Sequence, residues 1–267
     1  MKSMRGNATL ETPESRPSVR QGKEDKGFLE HFRELRSRLI VSVIAVAAAA
    51  VLAFVFYDRI IEILYAPFQA PRFQRGEEFL FINTVFEGFL VKLKVSLLAG
   101  LILALPFLLY NAVRFVFPGL KRREKRVVFV ALVSSFLLIG LSFYYGYYQV
   151  IPFSIAFLTG SGFIPDGTGL LLNFGRNIFV IFQLLFITVL LFQIPVVLEV
   201  LLIMNVVSRR SLLKASRYVV VGIFVVSAIL TPPDFVSQLS VAVPLVGLYF
   251  LTILIARIGG FGKSGEE

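Results

Sequence analysis

The chain has 267 residues, 57% of them hydrophobic and 16% charged, with a mean hydropathy of +0.80. A soluble domain carries about 25% charged residues, so lipid is the implied solvent for most of this chain. The lack of cysteine and the single histidine, His31, exclude a disulfide framework and a Cys/His metal site, and leave one imidazole for any triad. The net charge of +10 is read against the apolar runs rather than as a nucleic-acid signal, and no nucleic-acid partner is expected.

Residues 1–26 read as a disordered leader, because Pro13, Pro17, Gly22 and dense charge leave little apolar surface to bury. No early apolar stretch of the kind a cleaved secretory signal needs is present. Phe28, Phe32, Leu35 and Leu39 then recur at helical spacing, so 28–39 reads as an amphipathic helix lying along the membrane surface. A basic anchor accounts for most of this segment, but Glu34 does not suit one, since an acid gains nothing beside anionic head groups.

Spanning a bilayer core takes roughly 20 apolar residues in a helix. Candidate spans are Leu39 to Tyr57, Phe89 to Phe117, Val127 to Tyr148, Ile178 to Met204, Tyr218 to Leu230 and Leu239 to Ala256. The fifth has 13 residues, about 20 Å of helix, and is read as a short true span. The prediction is an all-α membrane protein of six transmembrane helices, with short helices five and six. It divides into the leader, a membrane domain over 27–257 and a tail over 258–267.

Lys and Arg number nine up to Arg38, six in 111–126, four in 205–217 and two after Ala256, against three and one in the alternating segments. Positive charge marks the cytoplasmic side, so both termini are expected there. Tyr57, Tyr65, Tyr144, Tyr145, Tyr147 and Tyr148 are expected at the opposite interface, where amphipathic rings settle. No internal repeat is evident, which disfavours a secondary transporter. Gly262-Lys263-Ser264 mimics the end of a P-loop, but position 257 is Arg rather than Gly and no helix follows. No cofactor, metal or enzymatic activity is expected.

The loop 117–126 again has one acid, Glu124, within a basic run. Either Glu124 neutralises its neighbours, or Glu34 and Glu124 form an acceptor pair suited to a guanidinium ligand, which a carboxylate accepts bidentately. Spacing does not choose between these.

From about Phe28 to Arg257 the chain resembles the TatC family, the core membrane subunit of the twin-arginine protein translocase. The landmarks are His31-Phe32-Arg33-Glu34-Leu35-Arg36, Ala66-Pro67-Phe68, Glu87-Gly88-Phe89, Pro106 with Leu109-Tyr110, Pro118-Gly119-Leu120 with Glu124, and Thr231-Pro232-Pro233-Asp234 with Gln238. The resemblance implies a receptor for signal peptides of folded cargo, binding paired arginines through Glu34, Arg36 and Glu124. It further implies a membrane groove at Phe89, Lys94 and Gln193, and a partner-docking or structural turn at Pro67, Asp234 and Gln238. The implied partners are the single-span subunits TatA and TatB, further copies of the chain and membrane lipid. The implied setting is the bacterial or archaeal cytoplasmic membrane, with transport driven by the proton-motive force. Phe192-Gln193-Ile194-Pro195 departs from the pattern, since the family usually carries Glu where Gln193 stands. An amide costs less in hydrocarbon than a carboxylate but cannot titrate. The competing reading, a small-molecule or ion permease, would need ionisable groups near the midplane, where this chain offers mainly Gln193.

Overall fold

The computed structural model describes residues 21–69, 80–116, 125–160, 172–231 and 234–263; for 21–32, 69 and 125–126 the description is of backbone alone. Six helical segments among these are long and apolar enough to cross a membrane: 33–55, 85–116, 127–158, 174–203, 209–230 and 235–258. The helices in chain order are α1 (Gln21–Val55), α2 (Tyr57–Tyr65), α3 (Val85–Val116), α4 (Lys125–Tyr145) and α5 (Ile151–Leu158). They continue as α6 (Phe174–Leu191), α7 (Ile194–Ile203), α8 (Arg209–Leu230) and α9 (Phe235–Ile258). Two short parallel strands, β1 (Leu80–Phe81) and β2 (Leu172–Asn173), pair outside the helices.

The first span is one helix of 35 residues, about 52 Å at 1.5 Å per residue. Its backbone helix begins at Gln21, so 21–26 of the expected leader belong to α1; residues 1–20 lie outside the described set. Leu39, Val43, Ile44, Val51 and Val55 are exposed along it, as suits a lipid-facing helix. Its main contact is with α3, where Gly100 lies so close to Ala50 that a Cβ at 100 would fall 2.4 Å from the Ala50 nitrogen. Small residues let helix backbones approach in this way, and in lipid such packing replaces the hydrophobic effect as the source of cohesion.

The third span is longer than the sequence implies. The tyrosine cluster does not end it: α4 passes through a π turn at Gly146–Val150 into α5, reaching Leu158. The turn lies just before Pro152, which has no N–H to donate, and a local widening of the helix absorbs the gap. Tyr144 and Tyr148 are exposed, whereas Tyr145 donates to the Ser240 carbonyl and Tyr147 to the Ile63 carbonyl, each at 2.9 Å. Two of the four rings therefore join helices rather than line an interface.

The fourth span is the most enclosed, with Ile178, Leu185 and Val189 fully buried. It breaks at Phe192–Gln193, just ahead of Pro195, which has no N–H to donate to Leu191. Gln193 N bonds to Leu190 O, and Val196 N and Val197 N both bond to Gln193 O, so the backbone re-satisfies itself around the break. Pro106 and Pro244 sit within unbroken helices.

The fifth span has 22 residues rather than 13. Ser208 caps its N-terminus, accepting from Ser211 N at 3.1 Å, and Arg209, Arg210, Lys214 and Arg217 lie in its first turns. The apolar stretch remains short; the basic residues extend the helix because Arg and Lys are good helix formers. The sixth has 24 residues, so both are shorter than spans two, three and four. Beyond α9, Gly260 and Gly262 take left-handed φ of 74° and 69°, and the chain turns back. Arg209 N then donates to Gly262 O at 3.1 Å, and Gly262 N to Asn205 Oδ1 at 3.2 Å, which stitches the chain beyond span six to the connection between spans four and five.

Candidate functional site

At the end of the bundle where α1 meets the last turns of α3 lies an open cleft of about 540 Å³, lined by Arg33, Glu34, Ser37, Arg38, Val41 and Asn111. Helical spacing puts Glu34, Ser37, Arg38 and Val41 on one face, at i, i+3, i+4 and i+7. Asn111, buried, crosses from α3 and donates to Ser42 Oγ at 3.1 Å, which sets the register of the two helices at the cleft. Arg38 Nε and Nη2 both donate to Glu34 Oε1, at 3.0 and 2.5 Å. Both side chains are part-buried, at 20% and 34% exposed for Arg38 and Glu34. The cleft thus presents an acid, in a basic setting, already gripping a guanidinium. Arg36 is exposed and does not line the cleft; two residues from Glu34 it stands about 200° round the helix. Glu124 lies outside the described residues, and α4 begins at the next one, Lys125. Ser37, Arg38 and Asn111 were not singled out by sequence; the i, i+4 spacing of Glu34 and Arg38 was the available signal.

The expected groove residues do not share one surface. Phe89 is exposed on α3. Lys94, also exposed, holds its Nζ 5.1 Å from the centre of the Phe179 ring on α6. Lys92 sits similarly over Phe54 and Tyr57, at 4.6 and 5.1 Å. Aromatic faces thus serve both lysines within an apolar span. Gln193, by contrast, is 4% exposed and faces α4, where Ser135 Oγ donates to its Oε1 at 2.8 Å. Among the described residues its buried Nε2 finds no hydrogen-bond partner. The break before Pro195 turns this amide into a contact between helices rather than toward a groove. The larger groove, about 880 Å³, lies between α4, α7 and α9; Val127, Leu137, Ile203 and Leu251 give its apolar walls, with Glu199 the ionisable residue on them.

At the other end of the bundle, Glu87 ties span two to span four. Its carboxylate accepts from Asn83 N at 2.7 Å and from Gly175 N at 2.8 Å. A Cβ at Gly175 would lie 2.6 Å from Glu87 Oε1, so a side chain there would push the carboxylate aside. Helix N-termini offer unpaired N–H groups and a positive dipole end, which a carboxylate satisfies. Pro67 lies in the short 3₁₀ turn Ala66–Gln69, in which Phe68 is buried. Asp234 caps α9, accepting from Ser237 N at 2.6 Å, and Gln238 Nε2 donates to the Phe224 carbonyl on α8 at 3.1 Å. Asp234 and Gln238 thus build the α8–α9 hairpin; Pro232 and Pro233 between the helices lie outside the described residues.

The sequence and the fold are matched in known proteins. The family model for the Sec-independent protein translocase protein TatC matches residues 30–244. A TatC protein of Desulforapulum autotrophicum is 37% identical over 92% of this chain and 89% of its own length. One from Aquifex aeolicus is 34% identical over 86% of this chain and 94% of its own. A crystal structure of the twin-arginine translocase receptor TatC in the detergent DDM superposes with a TM-score of 0.73 at 34% identity, covering 85% of this chain and 99% of that one. The six spans in this order and the likeness in sequence and structure agree: the chain belongs to the TatC family, and its function is protein translocation by the twin-arginine system rather than passage of small molecules.

Proposed function

We propose that this chain is the signal-peptide receptor of the translocase, taking paired arginines at Glu34 and Glu124. The observation that carries the reading is the Glu34 cleft, where a part-buried carboxylate is already engaged by the fork of an arginine side chain. Guanidinium recognition by carboxylate is bidentate, and an ammonium cannot reproduce it. Both termini and the 111–126 and 205–217 segments face the cytoplasm, since 21 of the 27 basic residues belong to those parts. The membrane is the cytoplasmic membrane, and the chain works without catalysis, as a receptor and scaffold driven by the proton-motive force. The α8–α9 turn with Asp234 and Gln238, together with the Pro67 turn, docks the single-span partners TatA and TatB.

Photo-crosslinking from positions 34 and 124 to a twin-arginine signal peptide tests the receptor assignment. The adduct is expected with the Arg-Arg peptide and lost with Lys-Lys. Equal labelling by the two peptides refutes the assignment.

A further inference from the structure

The cleft holds a feature that a simple acceptor site does not need. Arg38 donates twice, from Nε and Nη2, to a single oxygen of Glu34. Among the described residues Glu34 Oε2 forms no hydrogen bond. Arg38 is not confined to this position by a second acid: Glu34 is its partner in the ion pairs of the described residues. The pair is part-buried rather than immersed, so exchange with an incoming cation needs no unfolding.

We propose that Arg38 is a resident occupant of the guanidinium site, holding Glu34 when no signal peptide is bound and opposing the peptide's arginine. The inference rests on the receptor reading of Glu34. A peptide arginine that makes a fork with both carboxylate oxygens must take Oε1 from Arg38. One that takes Oε2 alone must sit beside a second guanidinium of like charge. Either route weakens binding relative to an empty carboxylate. The consequence is a receptor with moderate affinity by construction: the side chain that keeps Glu34 compensated at rest returns to it and helps release the signal once transport begins.

The test is a double-mutant cycle on the full-length protein in detergent at fixed ionic strength, read by the Kd of a synthetic fluorescent twin-arginine signal peptide. Arg38→Gln is expected to tighten binding by about two- to fivefold, the scale of a partly exposed ion pair. Arg38→Lys, a point charge with a looser grip, is expected to give a smaller gain. Glu34→Gln is expected to weaken binding, and adding Arg38→Gln to it should bring no further change. A loss of affinity or no change in Arg38→Gln overturns the proposal, because Arg38 would then be orienting Glu34 or idle. An equal gain from Arg38→Gln with Glu34 present and in the Glu34→Gln variant also overturns it, by showing a general repulsion of the cationic peptide. If Glu34→Gln alone leaves binding intact, it is the receptor reading that falls. Folding is controlled by the melting temperature, which an i, i+4 pair within one helix barely moves.

Discussion

Gly100→Ala probes the contact on which the cleft depends. A Cβ at position 100 would lie 2.4 Å from Ala50 N, 2.5 Å from Ala50 Cα and 2.8 Å from Ala50 Cβ. Two of these atoms are main chain, so no rotamer change relieves the overlap, and α1 must move away from α3. Overpacking of a rigid contact costs about 1–3 kcal/mol, and main-chain obstruction puts this case near about 3. Alanine recovers about 1 kcal/mol of helix propensity over glycine. The net is a loss of about 2 kcal/mol, a factor of about 30 in the folded-to-unfolded ratio. Gly140→Ala supplies the control, because Gly140 is also helical but a Cβ there meets nothing within 4 Å. It should be neutral or stabilising by up to about 1 kcal/mol. Reversible unfolding of both variants in one detergent, followed by circular dichroism, measures the contrast. Since Asn111 and Ser42 lie on the same two helices, Gly100→Ala should also weaken signal-peptide crosslinking at position 34. A Gly100→Ala protein as stable as Gly140→Ala would refute the reasoning, by showing that α1 and α3 do not approach this closely.

Glu87→Gln should lower the melting temperature, since it removes the charge that receives the Asn83 and Gly175 N–H groups; thermal unfolding checks it, and an unchanged midpoint would count against the tie. Gln193→Leu should change stability by no more than about 1 kcal/mol, because it ends the Ser135 bond but also removes the unpartnered Nε2. Gly262→Val should release the chain end: its φ of 69° is strained for a β-branched residue, and its Cβ would lie 2.7 Å from Leu202 Cδ2. Faster limited proteolysis after Ile258 is the expected sign, with cleavage unchanged from the parent as the refuting one.

Apolar run length and charge distribution were enough to place the six membrane segments, because hydrocarbon admits few alternatives to a helix. The ordered landmarks around Glu34, Pro106, Pro118 and Asp234 were enough to find the family. The fifth helix was legible in its apolar half alone; the Arg209–Arg217 half is helical through Ser208 capping and propensity, which a hydropathy reading does not weigh. An aromatic cluster signals an interface and so suggests that the third span ends at its tyrosines, whereas two of those hydroxyls find carbonyls on other helices. Gln193 stands out in the sequence as a departure from the family pattern, but its direction is set by packing against α4 beside the helix break before Pro195. The site divides along the same line. Sequence alone showed that an acid within a basic helix was out of place. That Arg38 grips Glu34 and that Arg36 turns away follow from helical phase within α1, which the i, i+4 spacing already carries; that Asn111 registers α3 against α1 depends on the close approach of the two helices, as at Gly100, which tertiary structure alone sets.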